Sequence, residues 1–302
     1  MPDYGHPIEF GYFLLPDHGD PAGTLALAHT LDTLGYDLIG IQDHPYQANH
    51  FDALALIGVI LGQTERVRLF PDVANLPLRP PAVLAKHAAT LDQLSGGRFE
   101  LGLGAGAFWD PIKAMGGPVR SPGEAVASLE EGIQIIRGMW SDARGLRFAG
   151  EHYQVVGARP GPRPAHDIGI WLGVLGPRML GLTGRTGDGW IPSMSYVPPA
   201  ETAVRNALID AGAREVGRDP AAIRRIYNVG GEFTAAAAHP PAPTDRQISG
   251  PVEHWVEALT GLALEQGFSA FILWTPTEER SLRLFIEEVA PAVRERVTAA
   301  RG

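Results

Sequence analysis

The feature that most constrains this chain is an alternation: short, continuously apolar runs, each followed by a segment with helical periodicity. The runs fall at 8–15, 36–42, 67–73, 98–103, 168–172, 189–192, 225–233 and 269–274. The helical segments fall at 21–34, 51–64, 80–94, 124–140, 178–185, 199–212 (with a turn at 220–224), 251–266 and 278–299. A strand whose residues are all apolar must be covered on both faces, which is the condition of a strand in a parallel sheet. Eight such strand–helix units predict a closed (β/α)8 TIM barrel, within one domain spanning 1–302. An open, doubly wound sheet is the alternative. It is disfavoured because no Gly-x-Gly-x-x-Gly follows the first strand. Two stretches break the rhythm. We read 141–164 as an insertion containing a small hairpin near 147–153, and the alanine- and proline-rich 235–249 as a mobile loop.

Composition narrows the function. The 302 residues include no cysteine. Disulfide scaffolds, thiolate metal sites and cysteine nucleophiles are therefore excluded. A net charge of −9 argues against nucleic acid or an anionic membrane as the main partner and leaves a small molecule. No basic segment leads into an apolar run at the start, and no apolar stretch reaches the ~18 residues a membrane span requires. The expectation is a cytoplasmic protein.

Active sites of such barrels lie at the C-terminal ends of the strands. That rule selects Gln42-Asp43-His44-Pro45-Tyr46 after the second strand and Asp72-Val73-Ala74-Asn75 after the third. It also selects Gly102-Leu103-Gly104-Ala105-Gly106 with Trp109 after the fourth, Gly173-Val174-Leu175-Gly176-Pro177-Arg178 after the fifth, and Trp274 after the eighth. Asp43-His44 is a titratable pair in which the carboxylate would orient a proton-transferring imidazole. The bland reading is a helix-capping histidine. The alternate glycines at 102, 104 and 106 would let a flat ring or a phosphate approach the backbone, or would simply make a tight loop. The glycine-bounded run into Pro177 offers free amides at a helix start, suited to a phosphate, with Arg178 adding charge. Arg79 and His87 read as structural. His44 and His50 lack a partner set with metal-ligand spacing, so no metal site is expected. Asp43, Asp72 and Glu232 also permit a TIM-barrel hydrolase built on paired carboxylates.

These residues resemble the luciferase-like, or bacterial luciferase family, flavin-dependent oxidoreductases over nearly the whole length. The resemblance is carried by Asp43-His44, Pro80-Pro81-Ala82-Val83-Leu84-Ala85, the run from Thr90 through Leu94-Ser95-Gly96-Gly97-Arg98 to Gly106, Phe148-Ala149-Gly150-Glu151-His152-Tyr153, and Gly187-Asp188-Gly189-Trp190. It implies a flavin across the barrel mouth and a non-proline cis peptide at Asp72-Val73 backing its ring, beside Ala74. It further implies a phosphate on the loop Gly173 to Gly176, and a homodimer through the second and third helices. The stretches Ala107-Phe108-Trp109-Asp110 and Ile170 to Arg178 look more like the coenzyme F420 branch than the FMN branch. The F420 reading implies hydride transfer to or from a small organic substrate. The FMN alternative implies a monooxygenase using O2. The sugar-phosphate dehydrogenases of the F420 branch carry a glutamate where this chain has Ala107, so their substrate is not carried over.

Overall fold

The computed structural model describes residues 3–274 and 278–302. The strands that form the barrel wall are β1 (Glu9–Leu14), β2 (Leu38–Ile41), β3 (Arg68–Pro71), β4 (Ala74–Asn75) and β5 (Leu101–Gly104). A hairpin, β6 (Leu146–Ala149) and β7 (Gln154–Ala158), lies outside it. The wall resumes with β8 (Ile170–Leu172), β9 (Gly189–Trp190) and β10 (Arg224–Val229). A short pair, β11 (Gly231–Phe233) and β12 (Ile248–Gly250), precedes the last wall strand, β13 (Ala270–Leu273). The helices are α1 (Pro21–Leu34), α2 (Ala53–Leu61), α3 (Pro81–Ser95), α4 (Trp109–Ala114), α5 (Pro122–Met139), α6 (Pro177–Thr186), α7 (Pro199–Glu215), α8 (Val252–Gln266), α9 (Glu279–Leu284) and α10 (Ala290–Arg301).

The sheet runs β3-β2-β1-β13-β10-β9-β8-β5-β4, and its ladders are parallel. β3 and β4 are two halves of the third barrel strand. A parallel bridge between Leu69 and Phe99 joins β3 to the segment leading into β5, which closes the ring. The expected barrel is therefore the observed one. Its interior is packed by Leu38, Phe70, Trp171, Ile191, Ile226, Ala270 and Ile272, with Phe70 and Trp171 edge to face at 5.1 Å. Ion pairs linking Arg68 to Glu9 and Glu100, and Arg224 to Glu9, lie at the N-terminal ends of the strands, opposite the expected site.

Local chemistry sets the helix ends. Asp20 caps α1 by accepting the Gly23 N–H, and Asp52 caps α2 by accepting that of Ala55. Ser121 and Glu124 form a capping box on α5. Gly35, Gly96 and Gly267 end α1, α3 and α8 in the left-handed conformation.

The structure departs from the sequence reading in four places. The seventh strand breaks after Val229, and its tail becomes β11, paired with β12. The end of the loop at 235–249 is thus a strand, and the loop is tied by Ala200 N–H to Pro243 O and by Arg246 to Ser195 O. The hairpin occupies 146–158 rather than 147–153. The last helix is two helices separated by a π turn, Phe285–Val289. Pro291 in the first turn of α10 has no N–H to donate, and its ring crowds the carbonyl four residues back. The short α4 was not expected; its six residues carry too little periodicity to stand out.

Candidate active site

The loops at the C-terminal strand ends enclose a cleft of about 290 Å3. Asp43, His44, Tyr46, Val73, Ala74, Asn75, Gly104 to Phe108, Gly173 to Leu175 and Met179 line it. Most of the residues singled out in the sequence meet there. Asp72, Gly176 and Arg178 stand beside it rather than on its wall.

Asp43 is 1% exposed, and its carboxylate is fully engaged. Oδ2 accepts the Asn75 N–H at 2.9 Å and Arg79 Nε at 2.7 Å, while Oδ1 accepts Arg79 Nη2 at 2.6 Å. No hydrogen bond joins Asp43 to His44; the carboxylate is held instead by Asn75 and Arg79. What Asp43 supplies to His44 is a fixed negative charge. Arg79, read from the sequence as structural, is the residue that holds Asp43 in place, a partnership the sequence did not reveal. The signal available was its place just past the third strand, beside the end of the second.

His44 stacks on Tyr46 with ring centroids 5.3 Å apart and meets the edge of Phe108 at 5.5 Å. Burial lowers its pKa below the ordinary 6.5, with the Asp43 charge opposing. The imidazole is accordingly neutral at neutral pH and able to take a proton. Burial and the Asp43 charge push the Tyr46 phenol up to about 12, so it remains a hydrogen-bond donor. His44, Tyr46 and Phe108 thus form one apolar wall carrying two polar tips.

Val73 also lines the cleft. The Asp72-Val73 peptide bond is cis, as the resemblance implied. A Cβ on Gly104 or Gly173 would come within 2.8 Å or 2.9 Å of the Val73 methyls. These glycines therefore leave room for Val73. Gly104 and Val73 both line the cleft, so the missing side chain at 104 seats the valine beside it. Gly106 has φ +90° and lies against Pro77 and Trp109, which makes it a turn glycine.

Asp72 lies inside the barrel below this bulge. Its Oδ2 is buried without a hydrogen-bond partner, and burial pushes its pKa up to about 7, with Asn228 opposing. Asn228 binds Ser193 Oγ at 3.3 Å, and its own Oδ1 lacks a partner, as does Oδ1 of Asn75 on the cleft wall. These buried orphan atoms call for a polar ligand edge or water.

Just past the lining residues Gly173 to Leu175, Gly176 precedes α6, with Pro177 in its first turn and no side chain capping it. A Cβ on Gly176 would meet nothing within 4 Å. The first amides of α6 are thus open to an anion. Trp190 is fully buried and donates to Val174 O at 2.9 Å, which fixes this loop. Trp274 is 38% exposed and packs on Gly230. Tyr153 sits away from the cleft, on the hairpin. Among the described residues no group of three or more His, Asp or Glu could hold a metal ion.

Residues 8–256 match the family described as luciferase-like monooxygenase. The chain belongs to that family. Its relatives include the F420-dependent glucose-6-phosphate dehydrogenase of Nakamurella multipartita, 30% identical over 218 residues, covering 70% of this chain and 64% of that protein. The 5,10-methylenetetrahydromethanopterin reductase of Methanolobus tindarius is 32% identical over 216 residues, covering 70% of this chain and 62% of that one. The chain thus spans under two thirds of the length of these two relatives. Among solved structures, an F420-dependent secondary alcohol dehydrogenase in complex with an F420–acetone adduct superposes with a TM-score of 0.83 at 20% identity, over 95% of this chain and 99% of that one. At that identity the likeness shows a shared fold. No helix of the described residues is long and apolar enough to cross a membrane.

Proposed function

We propose that this protein is a cytoplasmic oxidoreductase that transfers hydride between coenzyme F420 and a small organic substrate. The observation that carries the reading is the shape of the cleft. Val73 and the aromatic group of His44, Tyr46 and Phe108 line it together. The open start of α6 follows directly on the lining residues Gly173 to Leu175. These features fit a flat ring system with a phosphate-bearing chain. Relatives and structural neighbours named for F420 support the choice of deazaflavin.

In this reading Asp72, Val73 and Ala74 back the ring, and Gly104, Ala105 and Gly106 border it. The amides of Val174, Leu175 and Gly176, with Arg178, hold the phosphate, while the Gly173 N–H is spent on Leu103 O at 3.1 Å and Gly173 only shapes the loop. When bound, the deazaflavin supplies or accepts the hydride at a ring carbon. His44 takes the proton from a substrate hydroxyl as hydride leaves the carbon, or returns it in reduction. Asp43 steadies the charged imidazole through its fixed field, and Tyr46 donates a hydrogen bond beside it. The close walls exclude water and hold the reacting atoms in line. Ala107 supplies no second acid, so proton transfer rests on His44. The hydrolase reading fails on geometry, because Asp43 is locked by Arg79 and Asn75. The protein acts as a homodimer through α2 and α3, whose outer faces expose Val59, Val83 and Leu94; sedimentation velocity tests this.

Fluorescence titration with oxidised F420 and, separately, FMN tests the cofactor. F420 is expected to bind at least ~10-fold more tightly, about 1.4 kcal/mol. FMN preference with substrate-dependent oxygen uptake would move the assignment to a monooxygenase.

A further inference from the structure

Outside the cleft, the chain buries a positive charge that has no ion-pair partner among the described residues. Arg120, just ahead of α5, is 8% exposed. Its guanidinium carbon lies 5.2 Å from the centroid of the Tyr153 ring, on the tip of the inserted hairpin. Arg120 Nη1, Tyr153 Oη and His152 Nε2 are all buried without a hydrogen-bond partner. No carboxylate among the described residues forms an ion pair with Arg120. The acids within reach are committed. Glu131 accepts the backbone N–H groups of Glu151, His152 and Tyr153 at 2.7, 3.0 and 2.9 Å. Glu124, which feels both His152 and Arg120, takes the Ser121 N–H at 2.7 Å in the capping box.

A guanidinium removed from water with no counter-charge is strongly unfavourable. A guanidinium N–H, a phenol O–H and an imidazole N–H in one neighbourhood are the donors an oxyanion takes. The place is suggestive as well. The Arg178 guanidinium lies 3.6 Å from where a Cβ of Gly123 would stand, so the starts of α5 and α6 adjoin. We propose that Arg120, Tyr153 and His152 form a second anion-binding subsite, separate from the start of α6, that takes a carboxylate or phosphate group. That group is either a distal anion on the side chain of a cofactor held at α6 or a free anion. The subsite itself does not depend on which cofactor the cleft binds.

The probe is inorganic phosphate, titrated into the full-length protein at constant ionic strength while the thermal midpoint is followed. Phosphate is expected to raise the midpoint in the wild type and in Arg178→Ala, and to lose most of that effect in Arg120→Met. Without phosphate, Arg120→Met should be as stable as the wild type or more so, because an unpaired buried charge is gone. Tyr153→Phe keeps the ring and removes the hydroxyl; it should raise the half-saturating phosphate concentration several-fold and serves if Arg120→Met fails to fold. An unchanged phosphate response in either variant overturns the proposal. Titration with full-length F420 and with the deazaflavin lacking phosphate and tail separates the sources. Weaker binding of only the full cofactor by Arg120→Met assigns the anion to the cofactor. Equal binding of both, with the phosphate response lost, assigns a free anion.

Discussion

Arg79 grips Asp43 with two prongs, Nε at 2.7 Å from Oδ2 and Nη2 at 2.6 Å from Oδ1, and the same Nη2 reaches Asp52 at 2.7 Å. Asp52 is the cap of α2. One guanidinium therefore joins the end of the second barrel strand, the segment after the third, and the helix between them.

Removing that guanidinium leaves a buried carboxylate with a single amide. Arg79→Met should destabilise the protein by about 3–5 kcal/mol, the range for breaking a buried pair on one side. Arg79→Lys should recover only part, because an ammonium cannot fork. Adding Asp43→Asn to Arg79→Met should lose less than the two single losses together. Urea denaturation measures all of these. A loss below ~1 kcal/mol for Arg79→Met would mean the pair is not what holds these loops.

His44 is held neutral by burial, with its pKa below 6.5. In the direction that removes a substrate proton, kcat/KM should be flat near neutral pH and fall only in acid below 6.5. His44→Ala should lower kcat roughly 10²–10⁴-fold and remove that acid limb. Steady-state rates from pH 5 to 9, with cofactor affinity measured alongside, decide this. An unchanged profile with intact affinity would refute the role.

Asp72 titrates at about 7 in the fold against an ordinary 3.8. A raised carboxyl pKa means that folding favours the protonated form. The resulting stability is complete below 3.8 and is lost as pH rises to about 7, by about 4 kcal/mol at ~1.4 kcal/mol per pH unit. Asp72→Asn should therefore be more stable than the wild type at pH 8 and close to it at pH 4. Thermal midpoints at the two pH values test the sign. A wild-type advantage at pH 8 would show that the ionised carboxylate finds a partner.

The glycines divide by what surrounds them. A Cβ on Gly102 would collide with the backbone carbonyl of Pro71, and one on Gly104 would press Val73. Gly102→Ala should destabilise by about 1–3 kcal/mol, as overpacking does. Gly104→Ala should displace Val73 and weaken cofactor binding more than stability. Gly176→Ala meets open space at an extended backbone and should leave stability within ~0.5 kcal/mol. Calorimetry and cofactor titration on the three proteins separate these outcomes. Equal losses at 104 and 176 would contradict the account.

Much of the site was legible before any coordinates. Asp43, His44, Val73 and Val174 to Leu175 do share one cleft, because each follows an apolar strand and a parallel barrel places all such ends on one face. Their partnerships were not legible. His44 found aromatic neighbours in Tyr46 and Phe108 rather than a bond to Asp43, although Asp43 is its neighbour in the chain. The alternate glycines have three different neighbours: Pro71 O at Gly102, Val73 at Gly104, and Pro77 with Trp109 at Gly106. Nothing in the sequence singled out Arg120, and His152-Tyr153 stood out only as part of the family resemblance, since an unpaired buried charge shows only when the surroundings are known.

By itself the sequence determined the elements, their order, the barrel and the end at which the chemistry collects. Those follow from hydrophobic period, turn residues and the handedness of strand–helix–strand connections, all of which act over a few tens of residues. The tertiary structure alone decided which atoms meet: Arg79 with Asp43, Val73 with Gly104 and Gly173, Arg120 with Tyr153. The reason is geometric. Local pattern sends a loop to a face of the barrel, but ring closure and strand register decide which loops touch, and a side chain's charge, hydrogen bonds and burial are properties of that contact.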